Sequence, residues 1–243
     1  MLRKKVAFFN KRVLLTSSIY GNSAQDLFLH DNLSDREFRA ICKGLLALQA
    51  LPVNYSIAPK PKRLYDSRLN RLGAAEDVKD WFRPLLENTP ELTYSHGDYH
   101  LGNILLTEQG IGVVDPGEFV VFDPRYDWAK LYHSVRGYNH LIEGISYKID
   151  NTLEDTFFEL CPFPKEEIES LTGFLFLSML PLHSTDNQLR ILAKGNESLG
   201  TLGLRQVFVS DYSNKSEIYV DFDGPIVSLE KGFDNGTPNE RKI

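Results

Sequence analysis

What the chain lacks narrows its class first. Two cysteines, Cys42 and Cys161, in 243 residues are too few for a disulfide framework and too isolated for a zinc site. The longest apolar run, around Gly173 to Leu182, is about half of the ~20 residues that a helical membrane span requires. There is no basic excess. The formal charge is -6, from 27 Lys and Arg against 33 Asp and Glu, which argues against bulk attraction to nucleic acid or to an anionic membrane. Met1-Leu2-Arg3-Lys4-Lys5 looks like the head of a signal peptide, but the apolar Val6 to Phe9 stops at Asn10-Lys11-Arg12, so no secretory core segment forms. Five Asn-x-Ser/Thr triplets, at Asn32, Asn54, Asn196, Asn214 and Asn235, then carry no weight as glycosylation sites. A reducing cytoplasm is the expected location.

What is present reads as an ordinary globular chain, with 42% hydrophobic, 25% charged and 12% aromatic residues, long enough for one large domain or two modest ones. Val6 to Phe9 and Val13 to Ile19 predict two short strands turning at Asn10-Lys11. Ser34-Asp35-Arg36-Glu37 is a capping box, and Phe38, Ile41, Leu45 and Leu48 line one face, predicting a helix from 35 to about 50. Residues 52–70, rich in Pro, Lys and Arg, read as a surface connection before a helix over 74–87. Residues 92–124 read as strands and turns, because Gly97, Gly102, Gly110, Gly112 and Gly117 preclude a long helix. Helices are predicted from Asp127 to about Ile142, from Pro164 into the apolar Phe174 to Leu182, and over 186–200. Strands are predicted over Thr152 to Phe163 and Glu217 to Val220, and there is no internal repeat.

One segment stands apart: Ser95-His96-Gly97-Asp98-Tyr99-His100-Leu101-Gly102-Asn103-Ile104-Leu105-Leu106, then Val113-Val114-Asp115-Pro116-Gly117-Glu118. An acid on a glycine-loosened loop is followed by an amide at the mouth of an apolar strand, and a second acid ends the next strand. That order brings Asp98, Asn103 and Asp115 to one edge of a hairpin, where three oxygen-bearing side chains suit a hard cation such as Mg²⁺. Each residue alone is bland, since a lone Asp before a turn is usually a cap; order, spacing and strand context together point to a site. A hydrolase metal site from His96, Asp98 and His100 fits poorly. Histidines four apart share a face only on a helix, and that reading leaves Asn103 and Asp115 unexplained. His133, His140 and His183 read as core or surface histidines, and Trp128 and Tyr132 as packing.

Asp-x-x-x-x-Asn followed by Asp-x-Gly is the spacing of a kinase catalytic loop and metal-binding acid. With His96-Gly97-Asp98 in place of His-Arg-Asp, the segment resembles the phosphotransferase family of aminoglycoside kinases, choline kinases and related small-molecule kinases, through Asp123-Pro124-Arg125-Tyr126-Asp127-Trp128-Ala129. Pro116 stands for the family's usual Phe, and Val120 and Phe122 where glycines are common. Within the family, the stretch from Asp123 to Ser134 looks most like kinase-like proteins of surface-polysaccharide clusters. The resemblance implies an α+β, protein-kinase-like fold and ATP- and Mg²⁺-dependent transfer to the hydroxyl of a sugar, aminoglycoside or amino alcohol. By position, Asp98 would be the base or orienter of the hydroxyl, and Asn103 and Asp115 would hold Mg²⁺. Asp127 would brace the loop, His96 would be a structural member of it, and backbone groups near Ser17 and Ile19 would meet adenine. The implied partners are nucleotide and small-molecule acceptor, with no nucleic acid and no membrane.

The same resemblance marks a gap. No Gly-x-Gly-x-x-Gly precedes the catalytic loop, there is no glycine before Gly21, and Lys4, Lys5 and Lys11 lie at the start or in a turn. The expected organisation is therefore strands and hinge of a truncated N-terminal lobe over 1–33 and a helical C-terminal lobe over 34–210. An inactive remnant or scaffold is the competing expectation. Residues 211–243 would begin a further module, because Asp221-Phe222-Asp223-Gly224 resembles the first motif of haloacid-dehalogenase-like phosphatases, with Asp221 matching the nucleophile and Asp223 the acid/base. The twenty residues after Asp223 leave no room for that family's later motifs, so phosphatase activity is not expected of this chain.

Overall fold

A computed structural model describes residues 4–9, 12–17, 19–53, 62–71, 76–117, 121–147, 150–179, 182, 206–210 and 217–221. Strands β1 (Lys4–Phe9) and β2 (Arg12–Ser17) form an antiparallel hairpin, with Val6 opposite Leu15. The short β3 (Asn22–Ser23) leads into α1 (Ala24–Leu29), a helix that the sequence did not signal because six residues hold too little periodicity. Helix α2 (Asp35–Gln49) begins at the capping box: Glu37 N–H donates to the Ser34 hydroxyl at 3.3 Å, and Ser34 N–H donates to the Glu37 carboxylate at 2.9 Å.

Part of the expected connection over 52–70 is instead helix α3 (Lys62–Arg71). Its basic composition hides one apolar pair, Tyr65 and Leu69, which lie four apart on one face and are both buried. Helix α4 (Glu76–Glu87) follows, then β4 (Thr93–Tyr94), a 3-10 turn over Leu101–Asn103, and strands β5 (Ile104–Thr107), β6 (Gly110–Val113) and β7 (Val121–Phe122). Strands pair antiparallel in the order β3-β5-β6, while β4 pairs with β7.

The single helix expected from Asp127 to Ile142 is two. Helix α5 (Pro124–Val135) starts three residues earlier, because Asp123 accepts from Arg125 N–H at 3.0 Å and Pro124 suits the first turn. It ends at Gly137, whose φ of 84° is left-handed, and where a Cβ would run into the Tyr147 ring; α6 (Tyr138–Glu143) follows. The expected strand over Thr152 to Phe163 is helix α7 (Asn151–Leu160). Asp150 caps it by accepting from Thr152 N–H at 2.8 Å, and the buried Leu153, Thr156 and Phe157 recur at helical spacing. Helix α8 (Lys165–Met179) opens with acids as predicted. Strand β9 (Glu217–Asp221) pairs antiparallel with β8 (Gln206–Ser210), which the sequence had not signalled; the predicted helix over 186–200 and Asp223 lie outside the described residues.

The core gathers on α5. All twelve of its residues are buried, and Trp128, Leu131, Tyr132 and Val135 pack with Phe38, Ile41 and Leu45 of α2 and Leu153 and Phe157 of α7. Trp128 and Tyr132 are indeed packing residues, meeting the Phe157 ring at centroid distances of 5.5 and 4.9 Å. Each such apolar side chain contributes roughly 1.5–3 kcal/mol by leaving water. A helix buried on all sides fixes whatever its polar residues hold.

Candidate active site

Asp127 of α5 builds the loop that carries Asp98. Its Oδ2 accepts from the Ser95 hydroxyl at 2.9 Å and from His96 N–H at 2.7 Å, and its Oδ1 accepts from Gly97 N–H at 2.9 Å. Burial pushes the Asp127 carboxyl above its ordinary value, opposed by these three donors. Gly97 has φ 77°, a left-handed geometry that favours glycine. A second glycine closes the site: Gly117 N–H donates to His96 C=O at 2.7 Å, and a Cβ on Gly117 would stand 2.8 Å from the Gly97 carbonyl. The backbones that carry Asp98 and Asp115 therefore touch with no side chain between them.

The hairpin supplies the rest. Ile104 pairs with Val113, and Val114 N–H donates to Asn103 C=O at 2.9 Å, so Asn103 and Asp115 leave the same end of β5 and β6. Asp115 is exposed with φ 55°, a conformation that Asp tolerates better than most residues and that favours functional positions. Asn103 Nδ2 donates to Asp98 C=O at 3.0 Å and to Asp98 Oδ2 at 3.3 Å, which turns its Oδ1 away, free to accept or coordinate. An amide oxygen and an exposed carboxylate at one hairpin end fit a hard cation that keeps other ligands.

Asp98 is the most heavily charged-contacted residue of the loop. Its Oδ1 lies 2.7 Å from Lys130 Nζ, and its Oδ2 lies 3.4 Å from His100 Nε2. Gly102 N–H donates to His100 Nδ1 at 3.1 Å, which leaves the ring proton on Nε2 facing the carboxylate. Burial would raise the Asp98 carboxyl, but the His100 hydrogen bond and the Lys130 charge outweigh it and hold the group below the ordinary carboxylate range. His96 contributes its backbone, while its ring is buried edge-on to Tyr99 at 5.8 Å.

Of the other positions singled out in the sequence, Ile19 lies against β6, where a Cβ on Gly112 would come within 2.8 Å of it. The backbone of Ser17 pairs with Lys4 in the first hairpin. Asp221 closes β9. His133 is buried between Tyr138 and Phe176, with ring centroids at 4.1 and 4.0 Å, and His140 stacks on Tyr147 at 4.3 Å, so both are core residues. Sequence reasoning overlooked Lys130. The local sequence gives no signal for it, because α5 also carries Arg125, Asp127 and His133, and the partner of Lys130 lies in another segment.

Residues 10–144, more than half of the chain, match the family model described as the phosphotransferase enzyme family. The chain belongs to that family. No curated protein matches the sequence. Among solved structures, this phosphotransferase-family chain is similar to an ethanolamine kinase of Plasmodium vivax, at 15% identity over 83% of this chain and 67% of that one, with a TM-score of 0.50. A choline/ethanolamine kinase family protein from Mesorhizobium loti aligns at 16% identity over 81% and 72% of the two chains, with a TM-score of 0.54. At these identities the likeness is one of fold, and the fold is α+β and protein-kinase-like. No helix among the described residues is long and apolar enough to cross a membrane, and none of them form a His/Cys/Asp/Glu cluster of three or more suited to a metal.

Proposed function

We propose that this chain transfers the terminal phosphoryl group of ATP to a hydroxyl of a small molecule such as a sugar, an aminoglycoside or an amino alcohol. The observation that carries the reading is Asp98, held by Lys130, His100 and Asn103 beside the hairpin end that bears Asp115. Asn103 Oδ1 and the Asp115 carboxylate would hold Mg²⁺, which when bound neutralises charge on the nucleotide phosphates.

The chain's own part is placement and one proton. Asp98 accepts a hydrogen bond from the acceptor hydroxyl and aims its oxygen at the γ-phosphorus. As the new P–O bond forms and the bond to the β-phosphate oxygen breaks, the hydroxyl proton passes to Asp98, which later releases it to water. A carboxylate held below its usual range is a weak base, so orientation comes first and proton transfer late, when a loose transition state has already acidified the hydroxyl. Asp127 keeps the loop in shape through its three donors, and the Gly97–Gly117 contact keeps the Asp115 turn in step with it. Backbone groups near Ser17 and Ile19 are the proposed adenine contacts, with residues 1–33 flanking a kinase-like lobe over 34–210.

Mg-ATP titration followed by thermal shift tests this. Wild type melts higher with millimolar Mg-ATP, Asp115→Ala loses the shift, and Asp98→Ala keeps it while turnover on a panel of sugars and amino alcohols disappears. Full turnover by Asp98→Ala overturns the assignment, and a wild type that ignores Mg-ATP overturns the function.

A further inference from the structure

Building on that reading of Asp98, one buried charge still lacks a role. Lys130 sits on α5 among core residues, its side chain 9% exposed, with Nζ 2.7 Å from Asp98 Oδ1. Two further charges, Arg68 of α3 and Asp127 one turn earlier on α5, act on it, and each is committed to other partners. Ala129 and Leu131 flank it, and His133, one turn on along the same face, is kept uncharged by burial, helped by the neighbouring Lys130 charge. Arg68 of α3 spends its guanidinium on the Tyr126 hydroxyl and on the Ser178 hydroxyl at 3.3 Å. Among the described residues, Asp98 is the carboxylate that Lys130 engages. A lysine here costs desolvation that an apolar residue of similar volume would avoid, and replacing a buried pair by apolar groups is often neutral or stabilising. Fold stability alone therefore gives no reason for it.

The two oxygens of Asp98 are held unequally. Oδ1 has the short ammonium contact; Oδ2 has only Asn103 Nδ2 at 3.3 Å and His100 Nε2 at 3.4 Å, beyond the ordinary N–H···O range of about 2.7–3.2 Å. Asp127, three positions before Lys130 on the same helix face, already fixes the backbone of the loop. We propose that Lys130 is a positioning residue of the phosphoryl-transfer site: it grips Oδ1, stops the carboxylate from rotating, and leaves Oδ2 as the oxygen that receives the acceptor hydroxyl. One buried helix thus sets the loop's backbone through one side chain and its reactive group through another.

The test uses Mg-ATP with water as acceptor, followed by phosphate release, so that no acceptor need be known. Lys130→Met lowers kcat by about 100-fold, the scale of a misplaced reacting group, and leaves KM for Mg-ATP within about threefold. Lys130→Arg, which keeps the charge, recovers at least about tenfold of that loss. In an Asp98→Asn background, Lys130→Met lowers kcat no further, because the residue it positions is already gone. Asp98→Asn also strands a buried ammonium, so it melts below the Asp98→Asn/Lys130→Met double variant, a comparison that needs no turnover. Wild-type kcat in Lys130→Met, a loss confined to KM, or multiplying effects in the double variant overturns the inference while leaving the phosphotransferase reading intact. A wild type that neither binds nor hydrolyses Mg-ATP overturns both. Should Lys130→Met not fold, Lys130→Gln carries the same expectations.

Discussion

Two charged clamps join distant parts of this molecule, and they differ chiefly in their access to water. On the surface, Arg39 of α2 reaches Asp35 at 2.8 Å and Glu159 of α7 at 2.7 Å, while Thr156 donates to Asp35. In the interior, Asp127 and Lys130 of α5 hold the loop that carries Asp98. Each clamp ties segments far apart in sequence with comparable hydrogen-bond lengths. Water already reaches the charged groups of the first, so releasing Arg39 costs little. Releasing Asp127 or Asp98 from the second strands a buried donor, His96 N–H or the Lys130 ammonium. Burial, rather than the number of charges, decides which clamp the fold depends on.

The comparison breaks most visibly at Asp127. Asp127→Ala leaves the Ser95 hydroxyl and the His96 N–H without an acceptor, at about 1–3 kcal/mol each, and leaves Gly97 N–H with only the Ser95 hydroxyl oxygen at 3.0 Å. A loss of roughly 3–5 kcal/mol in urea unfolding, together with lost Mg-ATP turnover, is expected, and Asp127→Asn should fall between. Gly117→Ala comes next: its Cβ must displace the Gly97 carbonyl at 2.8 Å, costing about 1–3 kcal/mol and loosening Mg-ATP binding measured by calorimetry. Ser34→Ala removes the α2 cap for about 1 kcal/mol, read in the same unfolding experiment, with turnover unchanged. Arg39→Ala is the smallest, and moderate salt should erase the difference from wild type.

Acid separates the clamps by sign. Asp35 is held below the ordinary carboxylate range, first by the Thr156 hydrogen bond and then by Arg39; Glu159 is likewise held down by Arg39. Their contribution is present above about pH 4 and fades as pH falls through the depressed values. Asp127 runs the other way. Its raised value favours the protonated folded state, and that contribution is lost as pH rises through it. Denaturant midpoints between pH 3 and 7 should therefore trend in opposite senses: the gap between Arg39→Ala and wild type closes as pH falls, and the gap between Asp127→Asn and wild type narrows, without closing, as pH rises.

Local signals in the sequence were read well where one neighbour decides the outcome. The Ser34–Glu37 box and the apolar steps from Phe38 to Leu45 specify α2 without outside help. Asp98, Asn103 and Asp115 could be singled out because a tight hairpin converts spacing into proximity. Where distant packing decides, the reading failed. Thr156, Phe157 and Phe158 look strand-like in isolation, yet Asp150 caps them into α7 against Tyr132. Tyr65 looks like an accident in a basic stretch until Asp123 appears at 3.0 Å from its hydroxyl. Lys130 was invisible for the same reason, since its partner lies 32 positions earlier in the chain.

The absence of a solvent-facing side on α5 links two properties that many enzymes tune apart. Away from Lys130, a substitution of a core residue on that helix disturbs heat tolerance and reaction rate together, so variants chosen only for endurance at high temperature should leave those positions nearly untouched and collect their changes on the outer faces of α2 and α7 and the outer turns.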